Sequence, residues 1–201
     1  MKRKVFILHE IYGINNFIKM QANEYESSNT KVECISLYPE NKIFTYEQEQ
    51  EAYLHFINNV GFDAPLKLLT HKLLEAKKQY DEVMLVGYSV GATLAWRLSS
   101  LPIHRVVCVY GSRIRQYLDV IPACPTLVIF PSTEIGFNIH ELKEALDQFS
   151  TVETKQFIGL HGFMDCHNPN YCHESYLQAH FDIIQFLENK QYQGGQQNET
   201  K

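Results

Sequence analysis

The side chains best suited to act together are Ser89, His161 and a carboxylate, Glu134 or Asp165. Ser89 sits in Gly87-Tyr-Ser-Val-Gly91, between the apolar run at 83–86 and a helix-forming stretch at 92–99. Strand, sharp turn and helix form the context in which G-x-S-x-G makes a nucleophile elbow. Small residues two before and two after the serine let strand and helix approach closely. Ser89 Oγ is then pushed out at the top of the sheet, where the start of the helix offers N–H groups and a positive dipole end to a developing oxyanion.

A serine hydroxyl is a poor nucleophile at neutral pH and needs a base, itself oriented by an acid. Of the nine histidines, His161 stands out. It lies in Ile158-Gly-Leu-His-Gly-Phe163, after the last strand and before the last helix, with glycines leaving room around the ring. Loops at the carboxyl edge of an open sheet are where ligands bind. His55 and His71 fall within helical patterns, His104 precedes a strand at its amino end, and His140 lies within a helix start. The acid belongs after the strand at 126–130, where Glu134 is the one carboxylate of Pro131-Ser-Thr-Glu-Ile-Gly-Phe-Asn138. Asp165 is its rival, placed four residues after the histidine on the same loop. Two N–H groups must hold an oxyanion: that of Val90, after the nucleophile, and that of Ile11 in the loop His9-Glu-Ile-Tyr-Gly13, where Gly13 allows a tight turn. Glu10, a charge ending a buried strand, demands a partner or a role. Tyr12, Tyr88, Phe137, Phe163 and Met164 are candidate pocket walls.

The elements that must position these groups follow from the pattern. Strands are expected at 5–9, 32–37, 82–87, 105–110, 126–130 and 152–158, as continuous apolar runs of the kind buried on both faces of a parallel sheet. Helices lie between them. Asn15 or Asn16 caps one with Ile18, Ala22 and Tyr25 on a face, and residues 46–58 form a second. Leu66, Leu69 and Leu73 line a third, and residues 92–99 follow the elbow. Ile139, Leu142, Leu146 and Phe149 mark the next, and Leu177, Phe181 and Ile184 mark the last. This alternation means a doubly wound α/β sheet with right-handed crossovers. Residues 1–190 are expected to form a single domain, with no room for a cap domain between 105 and 131, and 191–201 a polar disordered tail.

Bulk properties agree. The 201 residues are 45% hydrophobic and 20% charged, with net charge −5. That balance argues against nucleic acid or a membrane as partner. The apolar run at 5–8 is too short for a signal peptide. Five cysteines, an odd number, fit a reducing, cytoplasmic compartment. No cofactor is expected, and the chain is expected to be a monomer or small homo-oligomer.

Together these pieces resemble the dienelactone hydrolase family of α/β-hydrolases. The similarity runs through Val5-Phe-Ile-Leu-His-Glu-Ile-Tyr-Gly-Ile-Asn-Asn-Phe-Ile18, Leu85-Val-Gly-Tyr-Ser-Val-Gly91, Val109-Tyr-Gly111 and His161-Gly-Phe163 with Asn168-Pro169 and Tyr171. It implies a three-layer αβα sandwich on a mainly parallel six-stranded sheet ordered 2-1-3-4-5-6. It also implies a nucleophile at Ser89, a base at His161, an acid at Glu134 and Glu10 as the carboxylate beside the nucleophile, with Tyr12, Gly13 and Tyr88 in support. The best-known members carry cysteine where Ser89 stands, so Glu10 is expected to serve structure more than activation. The family usually has aspartate where Glu134 stands. Gly162 and Asp165 replace the serine and arginine that hold a substrate carboxylate, and a negative Asp165 would repel an anionic lactone. The expected activity is hydrolysis of a small ester or lactone through an acyl-enzyme. Two other readings compete: a non-catalytic binder on the same fold, and a zinc site at Cys166, His167, Cys172 and His173.

Overall fold

The computed structural model describes residues 1–188. Six strands, β1 (Arg3–Leu8), β2 (Thr30–Ile35), β3 (Glu82–Tyr88), β4 (Arg105–Val109), β5 (Thr126–Pro131) and β6 (Val152–Phe157), form one sheet in the order β2-β1-β3-β4-β5-β6. Every pairing is parallel. The fold is therefore the expected α/β-hydrolase sandwich with the expected strand order. Because all strands run the same way, their carboxyl ends make one rim, and the loops from that rim carry the reactive groups.

Helices cover both faces. On one lie α1 (Asn16–Tyr25) and α6 (His173–Glu188); on the other lie α2 (Glu49–Asn59), α3 (Leu66–Ala76), α4 (Val90–Leu98) and α5 (Ile139–Leu146). Alternate residues of β1 serve the two layers. Val5 and Ile7 pack toward α1 and α6, while Phe6 and Leu8 pack toward the other four. Asn15 caps α1, its side chain accepting from the Ile18 N–H at 3.1 Å, which takes up one of the orphan donors at that end. The segment at 46–58 is a short 3₁₀ turn, Tyr46–Gln48, running into α2.

One helical face differs from expectation. Leu177 and Phe181 are 52% and 62% exposed, Ile184 of the same expected face packs half-buried against the core, and α6 fully buries Ala179, Ile183, Phe186 and Leu187 instead. Both sets repeat at helical spacing and lie two residues apart, about 200° around the helix. Periodicity alone cannot choose between two such stripes, and the small Ala179 hides the one that packs closest.

Among the described residues no helix is long and apolar enough to cross a membrane.

Strand and helix meet closely at the elbow. A Cβ on Gly87 would stand 2.2 Å from the Gly91 carbonyl oxygen, and one on Gly91 would stand 2.5 Å from the Leu8 carbonyl oxygen. Backbone fills both spaces, so neither clash can be relieved by a side chain turning away. Gly91→Ala is expected to cost about 2–3 kcal/mol or more, read as a lowered urea midpoint with an unchanged slope.

Candidate active site

Ser89 follows β3 with φ 52° and ψ −112°, a left-handed backbone that costs a non-glycine residue about 1–3 kcal/mol. Neighbouring bonds hold it there. Its N–H donates to the Val109 carbonyl at the end of β4 (3.0 Å), and its own carbonyl accepts from the Thr93 N–H to start α4 (3.2 Å). Val90 is the first residue of that helix, so its N–H has no intrahelical partner.

His161 arrives from the loop after β6. Its Nε2 lies 2.8 Å from Ser89 Oγ, and its Nδ1 lies 2.6 Å from Glu134 Oε1. Glu134 sits in the loop after β5, its side chain only 7% exposed. The Asn170 amide donates to the His161 carbonyl at 2.8 Å, and the Tyr110 ring packs 4.9 Å from the imidazole. Burial disfavours the charged imidazole, but the hydrogen bond and charge of Glu134, with Glu10 and Glu49 behind them, outweigh it. The His161 pKa is raised above its ordinary 6.5.

Asp165 does not compete for the imidazole. Fully buried, it accepts from the Tyr46 hydroxyl and from the His167 N–H (2.9 Å). Glu10 is also buried, 3% exposed, and accepts from the Tyr110 hydroxyl at 2.8 Å. Burial, reinforced by the charge of Asp165, pushes its pKa up to about 7; the Tyr110 bond and His161 resist that shift.

The relay opens into a cavity of about 470 Å³. Glu10, Ile11 and Tyr12 line one side and Ser89, Val90 and His161 the floor; Tyr46, Glu49, Tyr53 and Phe62 come from the segment around α2. Of the wall candidates only Tyr12 is there. Tyr88 points away from it, its hydroxyl bonded to Tyr25 (2.6 Å) and Gln21 (3.1 Å) of α1, because the residue before the serine alternates to the opposite face of the sheet. It supports the turn from beneath and touches no ligand space. Phe163 and Met164 are fully buried in the core on that same face. Phe137 packs under the Arg115 guanidinium, 4.6 Å from ring centre to cation, outside the cavity.

The zinc reading also fails geometrically. Cys172 Sγ donates to Ser175 Oγ (3.4 Å), His173 Nδ1 pairs with the Tyr171 hydroxyl (2.9 Å), and Cys166 is exposed. Among the described residues no group of three or more His, Cys, Asp or Glu stands close enough to hold a metal.

A serine, an imidazole and a carboxylate in sequence, beside a pocket at the carboxyl rim, match the arrangement implied by the resemblance. The sequence model of the dienelactone hydrolase family matches residues 1–191. The chain belongs to the dienelactone hydrolase family. YczH, an uncharacterized protein of Bacillus subtilis, is 34% identical over 165 residues, 81% of each chain. The solved dienelactone hydrolase of Anabaena variabilis is similar in fold, with TM-score 0.64 and 17% identity over 92% of this chain and 85% of that one. A promiscuous dienelactone hydrolase-like phosphotriesterase from metagenomic libraries gives 0.69 and 12% over 91% and 84%.

Several cavity residues of this family member are not signalled by local pattern: Tyr46, Glu49 and Tyr53 lie on the helical segment at 46–58, whose place over the cavity periodicity does not encode, and Arg113 lies in the loop after β4. Tyr110 carried a signal, since it directly follows a strand at the active rim.

The pKa of Glu10 sets a pH dependence. Folded, it titrates near 7; unfolded, near the ordinary 4.5. Above pH 7 the fold therefore carries a buried charge that the unfolded chain holds in water. As pH falls from 7 toward 4.5 the folded form takes up a proton and that penalty disappears. Glu10→Gln keeps an acceptor for Tyr110 and is expected to raise stability by up to about 3 kcal/mol at pH 8, with the gain shrinking as pH falls below 7. Thermal melts of both proteins across pH measure it.

Proposed function

We propose that this chain is a serine hydrolase that cleaves a small ester or lactone through an acyl-enzyme on Ser89. The observation that supports it most directly is the continuous relay from Ser89 Oγ through His161 to Glu134, at 2.8 and 2.6 Å. In this reading His161 Nε2 accepts the Ser89 proton as Oγ attacks the substrate carbonyl. The Ile11 and Val90 N–H groups hold the oxyanion. His161 returns the proton to the leaving alkoxide as the carbon–oxygen bond breaks. Water then attacks the acyl carbon, gives a proton to His161, and the serine is regenerated. Glu134 keeps the proton-bearing Nδ1 edge fixed and offsets the imidazolium charge.

The cavity favours a small neutral substrate. Glu10 and Glu49 line it against one cation, Arg113, whose guanidinium donates to the Tyr53 hydroxyl at 2.6 Å. A pocket so balanced repels an additional negative charge close to Ser89, and Asp165 lies just behind it.

Ser89→Ala is expected to lower kcat on a short-chain p-nitrophenyl ester by at least about 10³-fold without unfolding the protein. A fluorophosphonate probe is expected to label Ser89 in the native chain. No adduct on folded protein would favour the binding reading instead. Glu134→Gln is expected to cost about 10²–10⁴-fold in kcat, and Asp165→Asn far less. Activity is expected to rise with pH as His161 loses its proton, with the inflection above 6.5. Glu134→Gln removes the group that raises that pKa, so the residual activity is expected to titrate at lower pH; an unmoved inflection contradicts the assignment of the acid.

A further inference from the structure

The relay does not use His9, although this ring is fully buried at the end of β1, next to the oxyanion loop. Its two nitrogens have unequal partners. The Leu37 N–H donates to Nε2 at 2.8 Å, so Nε2 carries a lone pair and no proton. Nδ1 then holds the ring's one proton and donates it to the Glu10 carbonyl, at 2.5 Å. Burial supports the same form by pushing the His9 pKa down to about 4.

The Glu10 carbonyl belongs to the peptide whose other end is the Ile11 N–H. The described chain has no cis peptide bond, and in a planar trans peptide C=O and N–H point in opposite directions. Whatever holds the carbonyl therefore aims the N–H. The Gly13 N–H adds a second, longer bond to the same oxygen, at 3.3 Å, from a residue at φ +84° whose Cβ would stand 2.3 Å from the Lys42 carbonyl oxygen. The next peptide is fixed too, because the Tyr38 hydroxyl donates to the Ile11 carbonyl at 2.7 Å. Among the described residues no acceptor takes the Ile11 N–H, and Ile11 lines the cavity beside Ser89.

We propose that His9 is a positioning residue for the oxyanion site: by holding the Glu10 carbonyl back from the cavity through Nδ1–H, it keeps the Ile11 N–H turned toward the reacting carbonyl. The proposal rests on the acyl-transfer reading above and adds to it the reason one donor is ready before substrate arrives. Without that bond only the longer Gly13 contact opposes rotation of the peptide, and a turned peptide would present an oxygen where negative charge must develop.

Two substitutions separate the ring's two bonds. In His9→Asn the side-chain amide reaches the place of Nδ1 and can still donate to Glu10, while the Leu37 acceptor is lost. In His9→Gln the longer side chain reaches the place of Nε2 and can still accept from Leu37, while the donor to Glu10 is lost. His9→Gln is expected to lower kcat on p-nitrophenyl acetate by about 10–100-fold, part of the roughly 10²–10³ that a whole oxyanion donor is worth, with KM little changed. Affinity for a boronic acid, which mimics the tetrahedral state, is expected to fall by the same factor. His9→Asn is expected to keep kcat within about threefold of native even where its melting temperature is lower.

Native kcat and native boronate affinity in folded His9→Gln would overturn the assignment. So would equal losses in the two variants that follow their losses in stability, or failure of both to fold, since His9 would then serve the fold alone. Fluorophosphonate labelling of Ser89 in the native chain reports separately on the acyl-transfer reading. Labelling with an unchanged His9→Gln rate removes only the role of His9, whereas absence of native labelling removes both.

Discussion

The close approach of Gly91 to the end of β1 governs the site. The first turn of α4 lies against the carbonyl oxygens of Leu8 and His9, which a Cβ on Gly91 would meet at 2.5 and 2.7 Å. The same contact thus sets the height of Ser89 on its turn and the position of the strand end from which Glu10 and Ile11 emerge. The Ser89 turn and the loop that carries Ile11 share one backbone contact, so a shift of one moves the other. The strained φ of 52° at Ser89 is maintained by this packing and by the bond from its N–H to Val109. Strain of that size persists only where the surroundings over-determine it.

Electrostatics around the imidazole follow from that crowding. Desolvation disfavours charge on His161, yet Glu134, Glu10 and Glu49 together raise its pKa. The Glu10 carboxylate is itself pushed up to about 7 by burial and the charge of Asp165, a shift that His161 resists. The coupling is mutual: a proton gained by His161 makes ionised Glu10 easier to keep, and a proton gained by Glu10 removes part of the support for imidazolium. In the proposed acyl transfer the ion pair to be stabilised is imidazolium and oxyanion.

The four inner strands were legible because parallel strands buried on both faces advertise themselves as nearly unbroken apolar runs; the edge strands β2 and β6 are half-buried and carry Lys31, Glu33, Glu153 and Lys155, so they were legible from their place in the alternation, and all six end within two residues of expectation. Ser89 was legible because the elbow needs glycine at 87 and 91 for a steric reason that composition exposes. His161 and Glu134 were legible through their loops: each is the chemically fitting residue of a connection leaving the active rim. Side-chain direction was less accessible. Tyr88 is adjacent to Ser89 in sequence and on the opposite side of the sheet in space, and α6 carries two apolar stripes, one of which leaves Leu177 and Phe181 exposed. The segment around α2 contributes Tyr46, Glu49 and Tyr53 to the cavity through long-range placement, which local pattern does not encode.

A rim made of loops lacks the ladder bonds that fix the strands below it, so its register must come from side chains. The bonds that supply it run across the rim. Asn15, which caps α1, donates to the Tyr46 hydroxyl at 3.0 Å, and that hydroxyl donates to Asp165. The far oxygen of Asp165 accepts from the His167 N–H. One chain of hydrogen bonds thereby joins the oxyanion loop, the segment before α2 and the loop that carries His161. An acid four residues beyond the histidine in sequence is not its partner in space: one Asp165 oxygen accepts from Tyr46 across the rim, the other closes a local turn on the His167 N–H, and the imidazole Nδ1 is taken by Glu134. The bonds across the rim also explain the distribution of buried polar groups. His9, Glu10, Asn15 and Asp165 are all buried at this rim, whereas the middle of the sheet below is apolar. Each buried polar group costs free energy unless it is bonded, and here the bonds that satisfy these groups are the ones that tie the loop of Ile11, the segment of Tyr46 and the loop of His161 to one another and to the strand ends.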